Sequence, residues 1–120
     1  MLICILVAGC KRPDTEGHAR AESKHILHSI CILVEGIESV FNDHPPTELS
    51  ALVDYLEKHG YEDMPYNIDY EHKTISDAWG HTLIVMSEAG QFIGLGSPGT
   101  DGLWQEGKGD DIIVTLEEVR

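Results

Sequence analysis

The densest oxygen chemistry in the chain lies in one segment near the C-terminus. It reads Gly96-Ser-Pro-Gly-Thr-Asp101-Gly-Leu-Trp-Gln-Glu106-Gly-Lys-Gly-Asp110-Asp111. Three aspartates and a glutamate stand there among glycines. Hard cations such as Ca²⁺ take roughly six to eight oxygens from carboxylates, backbone carbonyls and water. Glycine reaches positive φ without steric cost and so turns carbonyls toward a centre. Adjacent Asp110 and Asp111 repel each other in an empty loop, and a divalent ion offsets that repulsion. The spacing does not fit an EF-hand loop. Residues 107–113 match part of one calcium-binding nonapeptide repeat, a motif that works in stacked copies. The plainer alternative is a solvated acidic loop, and spacing leaves both readings open.

A second group is His25, His28 and Cys31, at i, i+3 and i+6 with Glu35 following. Imidazole and thiolate suit transition metals, although one helix face rarely supplies a full ligand set. A solvated polar face is the plainer account. Catalysis is not expected. Ser50 and Ser97 lack the glycine-flanked elbow of a nucleophilic serine, and nothing suggests a cleft for paired carboxylates. Trp79 reads as core, and Trp104 as loop packing or an exposed contact.

These groups need positioning. At 120 residues and 42 % hydrophobic, the chain supports one modest core. Its 21 acidic against 8 basic residues give a net charge of −13, which argues against nucleic acid, since phosphate binding needs a basic face. The balance suits an envelope-facing or secreted protein, or a cation binder.

The hydrophobic period predicts a helix over 18–41. Ile26, Leu27, Ile30, Leu33, Val34, Ile37, Val40 and Phe41 form its packed stripe, with His25, His28, Cys31 and Glu35 on the wet side. Pro45-Pro46 ends it. A short helix over 48–58 follows, with Thr47 as N-cap and Gly60 just past its end. Residues 61–80 read as irregular and turn-rich. The period then shortens to that of strands: 81–87, a turn at 88–90, 91–95, and a third strand over 112–116. The expected fold is α+β. A long N-terminal helix packs on a small antiparallel sheet of three to four strands, with a short second helix and a calcium-type loop.

The start of the chain reads as an address. Leu2 to Ala8 are apolar but too few to span a bilayer. Val7-Ala8-Gly9-Cys10 resembles the bacterial lipobox, which predicts a signal over 1–9 and lipid on Cys10. Residues 10–18 become a tether and 19–120 the folded domain. An N-terminal β-strand over 3–8 is the alternative. With Cys4 removed and Cys10 lipidated, Cys31 has no intrachain partner.

Asp77-Ala-Trp79-Gly80, two strands with a turn, Gly96 to Gly102, and Gly109-Asp-Asp-Ile112 together resemble the C-terminal domain of the type II secretion major pseudopilin family. The likeness covers roughly residues 19–116. In that family the loop binds calcium. The resemblance implies Asp101, Asp110 and Asp111 as carboxylate ligands, completed by backbone carbonyls for which Pro98 and Lys108 are the candidates. Ala78 stands where the family has proline. A lipobox-like stretch replaces the family's basic leader and polymerising helix. The expectation is a non-catalytic, calcium-stabilised domain of a cell-envelope lipoprotein, facing the periplasm or exterior. It would be in or derived from type II protein secretion, with envelope proteins, secretion machinery included, as partners. The alternative is a small periplasmic lipoprotein that binds a ligand or transition metal through His25, His28 and Cys31.

Overall fold

A computed structural model describes residues 12–61 and 67–120. The lipobox-like stretch and Cys10 lie outside the described residues. The first element is a long helix, α1 (Arg12–Phe41). Its apolar residues recur at helical spacing, so one stripe is buried: Ile26, Leu27, Ile30, Val34 and Ile37.

Two parts of the expected stripe need correcting. Cys31 is fully buried rather than wet. It stands four residues after Leu27 and three before Val34, so it shares their flank of the helix. Val40 and Phe41, expected in the stripe, are 74 % and 61 % exposed. The last turn of α1 runs beyond the core, and Phe41 stacks on His59 instead, with ring centroids 4.9 Å apart. The helix stops as Asn42 turns to φ +53°, ahead of Pro45-Pro46.

The second helix, α2 (Leu49–Lys58), buries Leu52, Val53, Tyr55 and Leu56. Glu48, not Thr47, occupies its N-cap, with no side-chain cap bond. Its C-terminus closes as expected. Gly60, at φ +92°, donates to the Glu57 carbonyl at 3.1 Å, and Tyr61 donates to that of Leu56 at 3.0 Å. This pair of bonds satisfies carbonyls that the helix end would otherwise orphan.

The segment read as irregular contains a small hairpin, β1 (Ile68–Asp69) and β2 (Thr74–Ile75). Strands of two residues carry no periodicity, so the sequence gives no sign of them. The main sheet is antiparallel and ordered β3-β4-β5, from β3 (Ile84–Glu88), β4 (Gln91–Ser97) and β5 (Ile112–Thr115). The register places Val85, Leu95 and Val114 in one row, facing the core. Helix α1 packs on that face, chiefly against β5 and β4. A last turn, α3 (Leu116–Val119), begins at Thr115, whose hydroxyl accepts from Glu118 N while the Glu118 carboxylate accepts from Thr115 N. The spacing Thr-x-x-Glu is the signature of such a reciprocal cap, and it went unread in the sequence.

The architecture is therefore α+β: a long helix and a short one against antiparallel sheets of three and two strands. Among the described residues, no helix is long and apolar enough to cross a membrane.

Candidate metal centre

The loop between β4 and β5 is held at its start by a buried carboxylate. Asp77 is 1 % exposed. Its Oδ1 accepts from the backbone N–H groups of Trp79, at 3.0 Å, and His81, at 2.8 Å. Its Oδ2 accepts from Ser97 Oγ at 2.6 Å, and Ser97 Oγ in turn accepts from Gly99 N at 3.1 Å. A charge withdrawn from water is costly unless hydrogen-bonded, and here three donors do that work, the farthest of them twenty residues along the chain. Ser23, buried on α1, accepts from Ala78 N at 2.9 Å and fixes the same turn to the helix. His81 Nδ1 lies 2.9 Å from the Gly99 carbonyl. A carbonyl only accepts, so Nδ1 carries the proton in this bond.

Beyond Gly99 the loop folds on its own carboxylates. Gly99 sits at φ +78°, and a Cβ there would run into the Asp110 carbonyl. Only glycine permits this approach. Asp101 Oδ1 accepts from Leu103 N at 2.9 Å. Asp110 Oδ2 accepts from Asp101 N at 3.3 Å, so these two residues are brought side by side. The Asp110 carbonyl accepts from Arg20 Nη1 of α1 at 3.0 Å. Asp111 turns the other way. Its Oδ2 accepts from Gln105 N at 2.7 Å and Gly107 N at 2.9 Å. Its Oδ1 is buried and receives no hydrogen bond. The two adjacent aspartates thus avoid each other by facing different stretches of backbone.

Of the carbonyl candidates, Pro98 is buried beside the Asp77 network, and the Lys108 carbonyl accepts from Asp111 N at 3.2 Å. Asp101, Asp110 and Asp111 are in one loop, but their ligand atoms do not all lie within 4.8 Å of one another. Among the described residues, the group that meets this distance is Asp69, Glu71 and His72 in the β1–β2 turn. All three are exposed, and Asp69 is already engaged: Oδ1 accepts from Glu71 N and His72 N, and Oδ2 pairs with His72 Nδ1 at 2.7 Å. That arrangement is accounted for by the turn alone.

The histidine–cysteine trio does not assemble. His25 is exposed and His28 half-buried, whereas Cys31 faces the sheet and its Sγ donates to the Val114 carbonyl at 3.6 Å. Burial pushes this thiol up to about 12. A thiol so placed is inert toward metal and oxidant.

Sequence reasoning found the loop but missed Asp77, Ser97 and Ser23 as its supports. The available signal was Asp77 followed by Gly80, a pairing typical of side-chain-closed turns. No family model, curated protein or solved structure matches the chain.

Proposed function

We propose that this protein is a non-catalytic, pseudopilin-like domain of a cell-envelope lipoprotein, stabilised by calcium in the β4–β5 loop. It would serve protein contacts in or near type II secretion. The observation that carries the calcium reading is Asp111: a carboxylate 8 % exposed, with one oxygen lacking any donor. A buried acceptor left unmade costs about 1–3 kcal/mol, more when charged. A cation at that oxygen removes the deficit.

Asp111, Asp110 and Asp101 would hold the ion, with the carbonyls of Pro98 and Lys108, once the Asp110 and Asp111 carboxylates, which here face different stretches of backbone, are drawn to one centre. Calcium would supply charge neutralisation and a fixed centre for the loop. The chain's own part is to hold that loop ready: Asp77 and Ser97 anchor its first turn, and Gly99 admits the Asp110 backbone. The order of elements also supports the reading, since a long helix, a hairpin, an aspartate-rich loop and a closing strand follow one another as the resemblance implies. The lipid anchor rests on Val7-Ala8-Gly9-Cys10 alone.

Calorimetry in calcium and in EDTA tests the ion. Saturation at about a hundred times the dissociation constant adds ~2.7 kcal/mol, so melting should rise by several degrees in calcium. Identical melting in both buffers overturns the calcium reading. For the anchor, palmitate feeding should label the wild type and not Cys10→Ser. Equal labelling overturns it.

A further inference from the structure

The side of α1 that carries Ile30 and Val34 packs on the sheet. Ile32 lies midway between them in sequence, so it points the opposite way, and it is 48 % exposed. Ala21, His25, His28, Ile32, Gly36 and Ser39 follow one another at steps of three and four residues and so share this outer side. His28 is half-buried and the other five are exposed. The row spans about 27 Å of helix. At Gly36 a Cβ would meet nothing within 4 Å. Glycine inside a helix is destabilising relative to alanine, and among the described residues no neighbour in its own chain requires the room it leaves. The opening at Gly36 is free to take a group from outside the chain.

Charge selects the occupant. The chain has a net charge of −13, yet from Lys24 to Val40 the helix carries only two carboxylates, Glu35 and Glu38. Both are already held: Arg120 Nε lies 3.0 Å from Glu35, and His44 Nδ1 lies 2.7 Å from Glu38. A second copy can therefore approach here without the like-charge repulsion that the acidic body imposes elsewhere. The two carboxylates stand in the C-terminal half of this stretch, and Lys24, His25 and His28 in its N-terminal half. Reversing one helix against the other sets each half against its complement. With a two-fold axis at Ile32, Gly36 of one copy is level with His28 of the other, and Ser39 with His25. Glu35 meets Ser29, and Lys24 comes within a turn of Glu38. The imidazole of His28 then has the Gly36 opening to fill. A parallel pair would put Glu35 against Glu35.

We propose that the chain forms an antiparallel dimer through this outer face of α1, about a two-fold axis at Ile32. The inference needs neither the ion nor the lipid anchor. A seam one helix wide is at the small end of specific interfaces, so association should be weak and rise with concentration. The test is sedimentation equilibrium of the full chain over about a hundredfold range of concentration. It is run in EDTA, so that a calcium result and a dimer result are separate outcomes. Ile32→Glu sets two carboxylates face to face at the axis and should weaken the dimer about tenfold or more. Mixing that variant with Ile32→Lys should restore association, because the residue meets its own counterpart. Gly36→Gln should also weaken the dimer about tenfold, yet raise the melting temperature of the dilute monomer, since glutamine favours helix over glycine. Glu38→Gln should weaken association slightly; a stronger dimer would mean parallel helices and overturn the proposal. Leu103→Ser, in the β4–β5 loop, should change nothing. The proposal is also overturned by a monomer at every concentration, by a dimer that survives both Ile32→Glu and Gly36→Gln, or by one that Leu103→Ser abolishes.

Discussion

Two aspartates at opposite ends of α1 are satisfied in opposite ways. Asp43, in the turn after the helix, faces side-chain donors: His59 Nε2 at 2.7 Å and the Lys58 ammonium at 3.2 Å, both on the same oxygen. Tyr55 donates to the Asp43 carbonyl at 2.6 Å, and its ring meets that of His59 edge-on at 5.3 Å. Asp111, near the start of the helix's contact with the loop, faces backbone amides alone and keeps one bare oxygen. One site carries its own counter-charge. The other arranges dipoles around a charge and leaves part of it uncompensated. A cation has something to add only at the second.

The largest effect should come from the support beneath that second site. Asp77→Ala removes the acceptor from Trp79 N, His81 N and Ser97 Oγ together. Each buried donor left unmade costs about 1–3 kcal/mol, so a loss of about 3 kcal/mol or more is expected. Urea denaturation should show it, and it should appear in EDTA as fully as in calcium. A loss confined to calcium buffer would mean that Asp77 serves the ion rather than the fold.

The next effect separates the two ends directly. Asp111→Asn keeps shape and removes charge. Without calcium it should shift stability by less than about 1 kcal/mol, because the bare oxygen of the wild type was already a cost. With calcium it should forfeit most of the ~2.7 kcal/mol that saturation would supply on the proposed reading. Asp43→Asn should leave the calcium response untouched. A variant Asp111→Asn that retains the full melting rise would place the ion elsewhere.

The sequence made the scaffold legible where a period was long enough to count. Ile26 to Ile37 repeat over several turns, and Ile112 to Thr115 follow a glycine-rich loop, so helix and strand could be read. Val40 and Phe41 continue the same repeat but outrun the sheet they were to cover, and a repeat does not tell where its partner stops. Cys31 was misplaced because it lies at the margin of the stripe, where a small thiol passes for polar. In the loop, the membership of Asp101, Asp110 and Asp111 was legible from composition. That Asp111 alone would be buried was not, although its place next to Ile112 at the strand entrance gave a hint. The Asp77–Ser97 bond joins residues twenty apart, and no local pattern announces a contact of that range.

The smallest effect belongs to the self-compensated end. Bonds from His59 and then Lys58 hold the Asp43 carboxyl below its ordinary range. A carboxyl whose pKa falls on folding stabilises the fold above its unfolded value, about 4, and that stabilisation fades as pH drops through the folded value. Asp43→Asn removes it at neutral pH while keeping the main-chain carbonyl that Tyr55 grips. Wild type should therefore have the higher urea midpoint at pH 7, by a small margin because the pair is solvent-screened. As pH falls below about 4 the two midpoints should begin to converge, and they should meet only once pH has passed below the lowered folded value, where the native carboxyl is protonated as well. The margin should also shrink with added salt. Midpoints that diverge on acidification would show that the His59–Asp43 contact does not stabilise the turn, and the contrast between the two ends of α1 would lose its electrostatic basis.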